Sequence, residues 1–254
     1  MPEREATTSS HALRGWGKTI VVVLAALAAY VASALAVTLI TGDGILGAAV
    51  SNIATAVLAL LYRRRVTGTF RPPALSARAR TAEFWLAAGA GLVACWLFGQ
   101  AAASWVYSSW GSEGFDAVNA ARFAGPAALV LLTGVLLAPL GEEALMRGIV
   151  FSALRRHWSL PVAAVASSAV FAVLHGNLVQ IVLTLPLGVL LAYVYEGTQR
   201  LSPVVLMHVA FNAAASFTPP SFVAAITNPI VCVMLALLTV LSIIMLSPKA
   251  SARM

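Results

Sequence analysis

The acidic pair Glu142-Glu143 stands inside an apolar stretch of the chain, followed by Arg147. Ionisable side chains in such stretches are costly, by about 2.5–3.5 kcal/mol even on insertion scales, and usually mark a functional interior. Glu143 and Arg147 are four residues apart, so a helix places them on one face in the favoured acid-to-base order. Glu142 lies about 100° further around that helix. We therefore predict that Glu143 pairs with Arg147 and that Glu142 remains free for proton transfer; a plain packing cluster is the alternative.

Two further apolar stretches each carry a histidine with a partner one helical turn away. Phe171 precedes His175 by four residues, and His208 precedes Asn212 by four. Taken singly, the first is an ordinary interfacial histidine and the second an ordinary polar clasp between helices. Together with Glu142 they supply a carboxylate, two imidazoles and an amide on three separate segments. This set suits water activation and oxyanion stabilisation, and it predicts side chains within roughly 8 Å of one another.

The composition shows what kind of element must position these groups. Apolar residues make up 60% of the 254 residues, charged residues only 10%, and mean hydropathy is +0.90. A soluble domain carries about a quarter charged residues, so most of this chain must lie in lipid. The net charge of +7 does not indicate nucleic-acid binding, because no basic stretch carries interleaved aromatic residues. Cys95 and Cys232 both lie in apolar segments and do not form a disulfide framework.

The hydropathy pattern predicts an all-α, polytopic membrane protein with about eight transmembrane helices and the active site inside the bundle. We expect a single transmembrane domain at 19–246, between tails at 1–18 and 247–254. A crossing helix needs about 17–25 apolar residues, so the fourth span is long and the fifth and seventh are short. Residues 108–123 are expected to form an external loop. The predicted spans are 19–41, 45–62, 84–108, 124–154, 159–175, 178–195, 202–217 and 221–246.

The distribution of basic residues predicts the orientation in the cell membrane. Placing the arginine-rich loop 63–80 in the cytoplasm also places fourteen of the sixteen basic residues there. Only Arg122 is then external and Arg147 lies within a span. Short loops rich in lysine and arginine stay cytoplasmic, so both termini are predicted inside. The first apolar run continues to Ile40, which is long for a cleaved signal peptide, and we expect this helix to be retained.

The three motifs, in this order, resemble the signature of the CPBP group of intramembrane endopeptidases, the CAAX-protease and bacteriocin-processing or Abi family. That signature is EExxxR, then FxxxH, then HxxxN or HxxxD, each on a different transmembrane helix. The chain matches all three without substitution, and the resemblance covers about residues 126–217. It implies an eight-helix peptidase whose polar cavity is reached from the cytoplasmic side. The matching residues are Glu142, Glu143, Arg147, Phe171, His175, His208 and Asn212.

The resemblance also implies a role for each residue in hydrolysing a peptide bond of a membrane-associated protein or peptide. Glu142 and His175 would activate the attacking water, and His208 and Asn212 would stabilise the oxyanion. The supporting ion pair would be Glu143 and Arg147. A non-proteolytic membrane scaffold or a bacteriocin self-immunity protein is the alternative from another class. A proton-coupled transporter is disfavoured because no repeated half with paired broken helices is present.

Metal dependence stays open at this point. Glu142, His175 and His208 could supply three zinc ligands, with water in the fourth position. The HExxH pattern that signals zinc on a single helix is absent. We therefore expect a glutamate-type mechanism without a cofactor, and keep a zinc metalloprotease as the alternative. The expected partners are membrane lipid and the substrate, with no nucleic acid.

Overall fold

The computed structural model describes residues 2–248, with side chains described at 15–121 and 125–248. Every element in that part of the chain is helical, which confirms a polytopic all-α membrane protein. The predicted tail 247–254 lies outside the described residues from 249 onward. The helices are α1 (Pro2–Thr41), α2 (Gly44–Thr67), α3 (Ala82–Trp110), α4 (Glu113–Ala124), α5 (Ala127–Leu154), α6 (Leu160–Val173), α7 (Leu178–Thr198), α8 (Leu201–Phe217), α9 (Pro220–Ile226) and α10 (Pro229–Leu246).

Within the described residues, six helices are long and apolar enough to cross a membrane, or seven spans if α8 and α9 together form one bent span. The predicted count was about eight. The fifth predicted span is only the 14-residue helix α6, and the seventh is the 17-residue helix α8. The last predicted span, 221–246, is interrupted where Asn228 accepts a hydrogen bond from the Ile230 N–H and starts α10. Helices α8 and α9 meet at a bend of 103°.

The segment 108–123, predicted as a loop, contains helix α4. Ser112 caps this helix by accepting a hydrogen bond from the Phe115 N–H, and Glu113 and Asp116 lie in its first turn. Both features stabilise a helix N-terminus. The serine accepts a hydrogen bond from a free backbone N–H, and the acidic side chains place negative charge at the positive end of the helix dipole. The connection between the third and fourth predicted spans is therefore ordered.

Small residues bring the helices around the motifs into close contact. A Cβ on Gly141 of α5 would lie 2.5 Å from the Asn52 Cα of α2. A Cβ on Gly188 of α7 would lie 2.8 Å from the Ser168 Cβ of α6. Close approach of backbones at small residues is a common way to pack helices in lipid, where there is little hydrophobic driving force between them. Helix α5 is thus held against α2, while α6 and α7 form a tight hairpin.

The arginine-rich segments meet at one end of the bundle. Arg63 donates to the Arg71 carbonyl at 3.0 Å, and Arg200 donates to the Pro73 carbonyl at 3.0 Å. Arg155 forms an ion pair with Glu196, with 2.9 Å between Nη2 and Oε1. These contacts join the loop after α2 to the ends of α5 and α7. The orientation of this end toward the cytoplasm stays a prediction.

Candidate active site

Helix α5, which carries the two glutamates, is irregular around Pro139. Two π-helical stretches, Leu132–Leu137 and Ala144–Phe151, lie on either side of this proline. The Ala138 N–H donates to the Thr133 carbonyl, five residues back, and so leaves Gly134 without its usual donor. The next position in the chain offers no donor either, because proline has no N–H. The Gly134 carbonyl is therefore free for a partner from another helix.

Asn212 of α8 donates a hydrogen bond to that carbonyl. Its Nδ2 donates to the Gly134 oxygen at 2.9 Å. A buried carbonyl needs a hydrogen-bond partner, and the asparagine amide supplies it across the helix interface. Asn212 thereby attaches α8 to α5. It is not among the residues that line the cavity with Glu142 and His175.

Glu143 and Arg147 form the predicted ion pair. The Arg147 Nε lies 3.1 Å from the Glu143 Oε2, and Nη1 donates to Oε1 at 3.1 Å. Both side chains are buried, with 1% and 0% relative exposure. Arg147 also donates through Nη2 to the Gly188 carbonyl of α7 at 2.6 Å and lies 5.5 Å from the centre of the Phe171 ring. The pair therefore links α5 to both α6 and α7.

His208 lies between the two adjacent acids. Its Nδ1 is 2.8 Å from the Glu143 Oε1, and its Nε2 is 3.7 Å from the Glu142 Oε2. A carboxylate can only accept, so Nδ1 carries a proton and Glu143 fixes the orientation of the ring. The Glu143 carboxylate thus accepts hydrogen bonds from both Arg147 and His208. This second contact was not predicted, because no spacing rule connects positions 65 residues apart.

His175 follows the end of α6 and is turned so that one ring nitrogen stays available. Its Nδ1 lies 3.0 Å from the Phe171 carbonyl, which can only accept, so Nδ1 donates. Nε2 of the neutral ring then carries the lone pair. The Phe171 ring separates the two histidines, with centroids 5.0 Å from the His175 ring and 5.8 Å from the His208 ring.

Glu142 and His175 line one cavity of about 80 Å³. This exceeds the roughly 10–15 Å³ that a single water molecule requires, and the two polar groups give that water partners. Tyr30 of α1 completes the polar part of the wall, and Leu145, Met146, Phe171 and Leu174 supply the apolar part. Tyr30 was not predicted, because a single tyrosine in an apolar span carries no sequence signal. The arrangement suits activation of water by a carboxylate and an imidazole.

The described residues do not include three His, Cys, Asp or Glu side chains grouped closely enough to bind a metal ion. Glu142, His175 and His208 therefore do not fit a three-ligand zinc site in this arrangement. The Nδ1 of His208 and that of His175 are both engaged with protein oxygens. A histidine that binds a metal through one ring nitrogen usually donates a hydrogen bond through the other, as both histidines do here. The three side chains are nevertheless not grouped around one point where a metal ion could bind.

Comparison with known proteins identifies the segment that carries these groups. Residues 124–214 match the family model described as type II CAAX prenyl endopeptidase Rce1-like. We call this matching segment the Rce1-like domain. The match agrees with the CPBP resemblance of the three motifs and confirms it. No curated protein and no solved structure matched the chain.

The Rce1-like domain covers just over a third of the chain and includes all three motifs. At the family level it supports a CAAX-type intramembrane endopeptidase. Helices α1 to α3 lie before the domain, yet α1 provides Tyr30 and α2 packs against Gly141. The cavity is therefore built from the Rce1-like domain and from a part of the chain outside it.

Proposed function

We propose that this chain hydrolyses a peptide bond of a membrane-associated protein or peptide. The observation that supports the proposal is the division of the adjacent acids within the Rce1-like domain. Glu143 is bound by Arg147 and His208, while Glu142 shares a cavity with His175. A free carboxylate beside an imidazole with an available nitrogen is the arrangement that water activation requires.

In the proposed reaction, a water molecule in the cavity hydrogen-bonds to the Glu142 carboxylate and to the His175 Nε2. The water oxygen attacks the carbonyl carbon of the substrate while Glu142 takes one of its protons. The tetrahedral intermediate then collapses with cleavage of the C–N bond, and Glu142 returns the proton to the leaving amine. His175 holds the water throughout and keeps its own Nδ1–H on the Phe171 carbonyl. General acid–base catalysis of this kind contributes about 10²–10⁴-fold to a rate.

His208 and Asn212 are the proposed oxyanion stabilisers. The Nδ1–H of His208 is directed to Glu143, so donation from Nε2 to an oxyanion requires the doubly protonated ring. Asn212 uses one N–H on the Gly134 carbonyl and has a second N–H to offer. Donors fixed before the substrate binds are effective because they need no reorganisation as charge develops.

The proposed mechanism assigns no step to a metal ion. Activity of the purified protein should persist in the presence of a strong chelator. Loss of activity with the chelator, restored by added zinc, would establish the metalloprotease alternative.

We further propose that the arginine-rich end of the bundle faces the cytoplasm, with both termini on that side. The support is the positive-inside tendency of short loops, together with the contacts that join these loops at one end.

The decisive experiment compares Glu142→Gln with the matched variant Glu83→Gln, whose carboxylate lies at the start of α3 and outside the cavity. Each is produced at equal levels in cells that lack the native protein, and new protein N-termini in the membrane fraction are labelled and counted. Glu142→Gln should lower the cleavage that depends on this protein by about 10²–10⁴-fold. Glu83→Gln should cleave like the unmodified chain.

The same comparison addresses the scaffold or self-immunity alternative. If no N-terminus depends on Glu142, while the cellular phenotype of deleting the protein is rescued by Glu142→Gln, the peptidase mechanism is wrong. The protein would then act through binding.

A further inference from the structure

A second cavity lies at the arginine-rich end of the bundle. Its volume is about 330 Å³, and it is enclosed by the end of α2, the last turns of α5 and the end of α7. None of its lining residues also lines the cavity of Glu142 and His175. Glu142 and Gly148, the first residue of α5 that lines the second cavity, are six residues apart, on the order of 9 Å along a helix. The second cavity is therefore a separate site, which we call the arginine cavity.

The lining of the arginine cavity is cationic. Among its described residues, three arginines face a single acid, Glu196. Glu196 is paired with Arg155, which also donates to the Trp158 carbonyl at 3.1 Å. The negative charge of Glu196 is thus balanced by the guanidinium of Arg155. Two arginines of the wall, Arg63 and Arg156, are left without an acidic partner among the described residues.

Both of these arginines have donors to offer an anion. Arg63 uses one N–H on the Arg71 carbonyl, and the exposed Arg156 forms no ion pair with a described acid. A guanidinium carries five N–H donors in a planar fork that matches the oxygens of a phosphate group. The arginine cavity is therefore suited to a phosphate held between the ends of α2 and α5.

Besides Thr67, Ser152 and Gln199, the wall of the arginine cavity contains apolar side chains. Leu60, Val66 and Leu201 line the cavity, and Leu60 belongs to a run of exposed apolar side chains on α2 that includes Val57 and Leu61. Two tyrosines, Tyr62 and Tyr195, also line it. Tyrosine is enriched at the level of lipid headgroups, where one end of the side chain is apolar and the other is wet. A matching ligand has an anionic head and an apolar tail.

We propose that the arginine cavity binds the phosphate headgroup of an anionic membrane phospholipid. Basic pockets between transmembrane helices at the cytoplasmic face are known to bind such headgroups. The apolar wall favours a lipid over free phosphate, because free phosphate has nothing to place against Leu60 and Leu201. The site is independent of the catalytic groups and would exist whether or not the chain cleaves peptides.

The experiment measures lipid retention by native mass spectrometry on the full-length protein in a neutral detergent. Phosphatidylglycerol and phosphatidylcholine with the same acyl chains are added in equal amounts. The unmodified protein should retain phosphatidylglycerol in preference to phosphatidylcholine. Equal retention of the two lipids would overturn the proposal.

A pair of double variants tests the position of the site. Arg63→Gln/Arg156→Gln removes the two arginines without an acidic partner, while Arg64→Gln/Arg65→Gln removes the same charge from exposed neighbours outside the cavity. The first pair should lower phosphatidylglycerol retention by at least about tenfold, because one charge-assisted hydrogen bond already contributes about that factor; the second pair should leave retention unchanged. Equal loss in both would show general surface attraction and contradict the assignment to this cavity.

Two further arms keep the result interpretable. Glu196→Gln removes the acid from the wall and should increase phosphatidylglycerol retention, a gain that misfolding cannot produce; no gain would contradict the proposal. Inorganic phosphate is added as competitor at the concentration of the lipid. Displacement of phosphatidylglycerol by it would identify a free-phosphate site and overturn the lipid assignment, whereas continued retention supports a lipid.

Discussion

Two neighbouring glutamates have different surroundings in this protein because of where each lies on α5. Glu143 points into the bundle, where Arg147 and His208 both contact it, and it has 0% exposure. Glu142 is 17% exposed and lines the cavity. Helix geometry explains why the two acids differ, since residues four apart lie on the same face and Arg147 therefore pairs with Glu143. The contact of His208 with Glu143 needs the tertiary fold and cannot be derived from spacing.

Replacing Arg147 should show that the ion pair is structural. Arg147→Ala leaves Glu143 buried without its cation, which costs about 3–5 kcal/mol when one partner of a buried pair is removed. We expect a large fall in the amount of monodisperse protein extracted from membranes, measured by fluorescence-detected size exclusion. Arg64→Ala, at an exposed position on α2, is the control and should extract normally.

The double variant Glu143→Gln/Arg147→Met separates charge from volume. It removes both buried charges, so extraction should recover much of the way toward the unmodified protein. If Arg147→Ala extracts as well as Arg64→Ala, the pair does not stabilise the fold and our account of it is wrong.

In helix α5, an irregular turn frees a backbone carbonyl for a hydrogen bond with another helix. Pro139 and the π-helical stretch before it leave the Gly134 carbonyl free, and Asn212 takes it. In the sequence, Pro139 signals only a loss of helix regularity, through its missing N–H. Which carbonyl becomes free depends on the hydrogen-bond register of the π turn, and that register is not visible in the sequence.

Restoring the missing N–H should weaken this attachment. Pro139→Ala allows α5 to become regular, so that the Gly134 carbonyl finds a donor within its own helix and Asn212 loses its partner. We expect cleavage to fall by about tenfold or more while thermal stability is maintained or rises, because proline inside a helix costs about 3 kcal/mol. Pro203→Ala, in the first turn of α8, is the control, since proline is tolerated there. Full activity in Pro139→Ala would contradict the link between the π turn and Asn212.

The starts of α10 and α4 are signalled in the sequence, although the average hydropathy of the surrounding residues does not show them. Asn228 followed by Pro229 is a helix start signal, and Ser112 followed by Glu113 is another. A hydropathy window averages across such signals, which is why 221–246 was predicted as a single span. Residues 142–147 and 208–212 lie in helices as predicted, whereas His175 follows the end of α6.

In the molecule as a whole, the cavity of Glu142 and His175 extends beyond the Rce1-like domain. The domain begins at residue 124, whereas Tyr30 comes from α1 and lines the cavity with Glu142 and His175. The motifs predicted which three helices meet, because each of them carries a polar group that is costly to expose to lipid. They could not predict the neighbour that closes the cavity, since α1 carries no comparable polar group.

Removing the Tyr30 hydroxyl should lower cleavage without loss of folding. A hydroxyl beside Glu142 can donate to the carboxylate or to the water between them, and a hydrogen bond to a charged group contributes about 1.5–3 kcal/mol. Tyr30→Phe should therefore slow cleavage by about 10–100-fold, as measured by the N-terminal labelling described above. Tyr107→Phe, on α3 and outside both cavities, is the matched control. Unchanged cleavage in Tyr30→Phe would show that α1 merely covers the site.

Helix α8 is fastened to α5 at two points one turn apart, His208 on Glu143 and Asn212 on Gly134. With two attachments on the same face, α8 can neither rotate about its axis nor slide along α5 without breaking both. The two groups proposed to receive the oxyanion are thus fixed before any peptide arrives. The entropy of ordering them is lost when the protein folds rather than when it binds. A substrate must therefore adapt its own backbone to this rigid pair, which favours extended, flexible segments over folded ones.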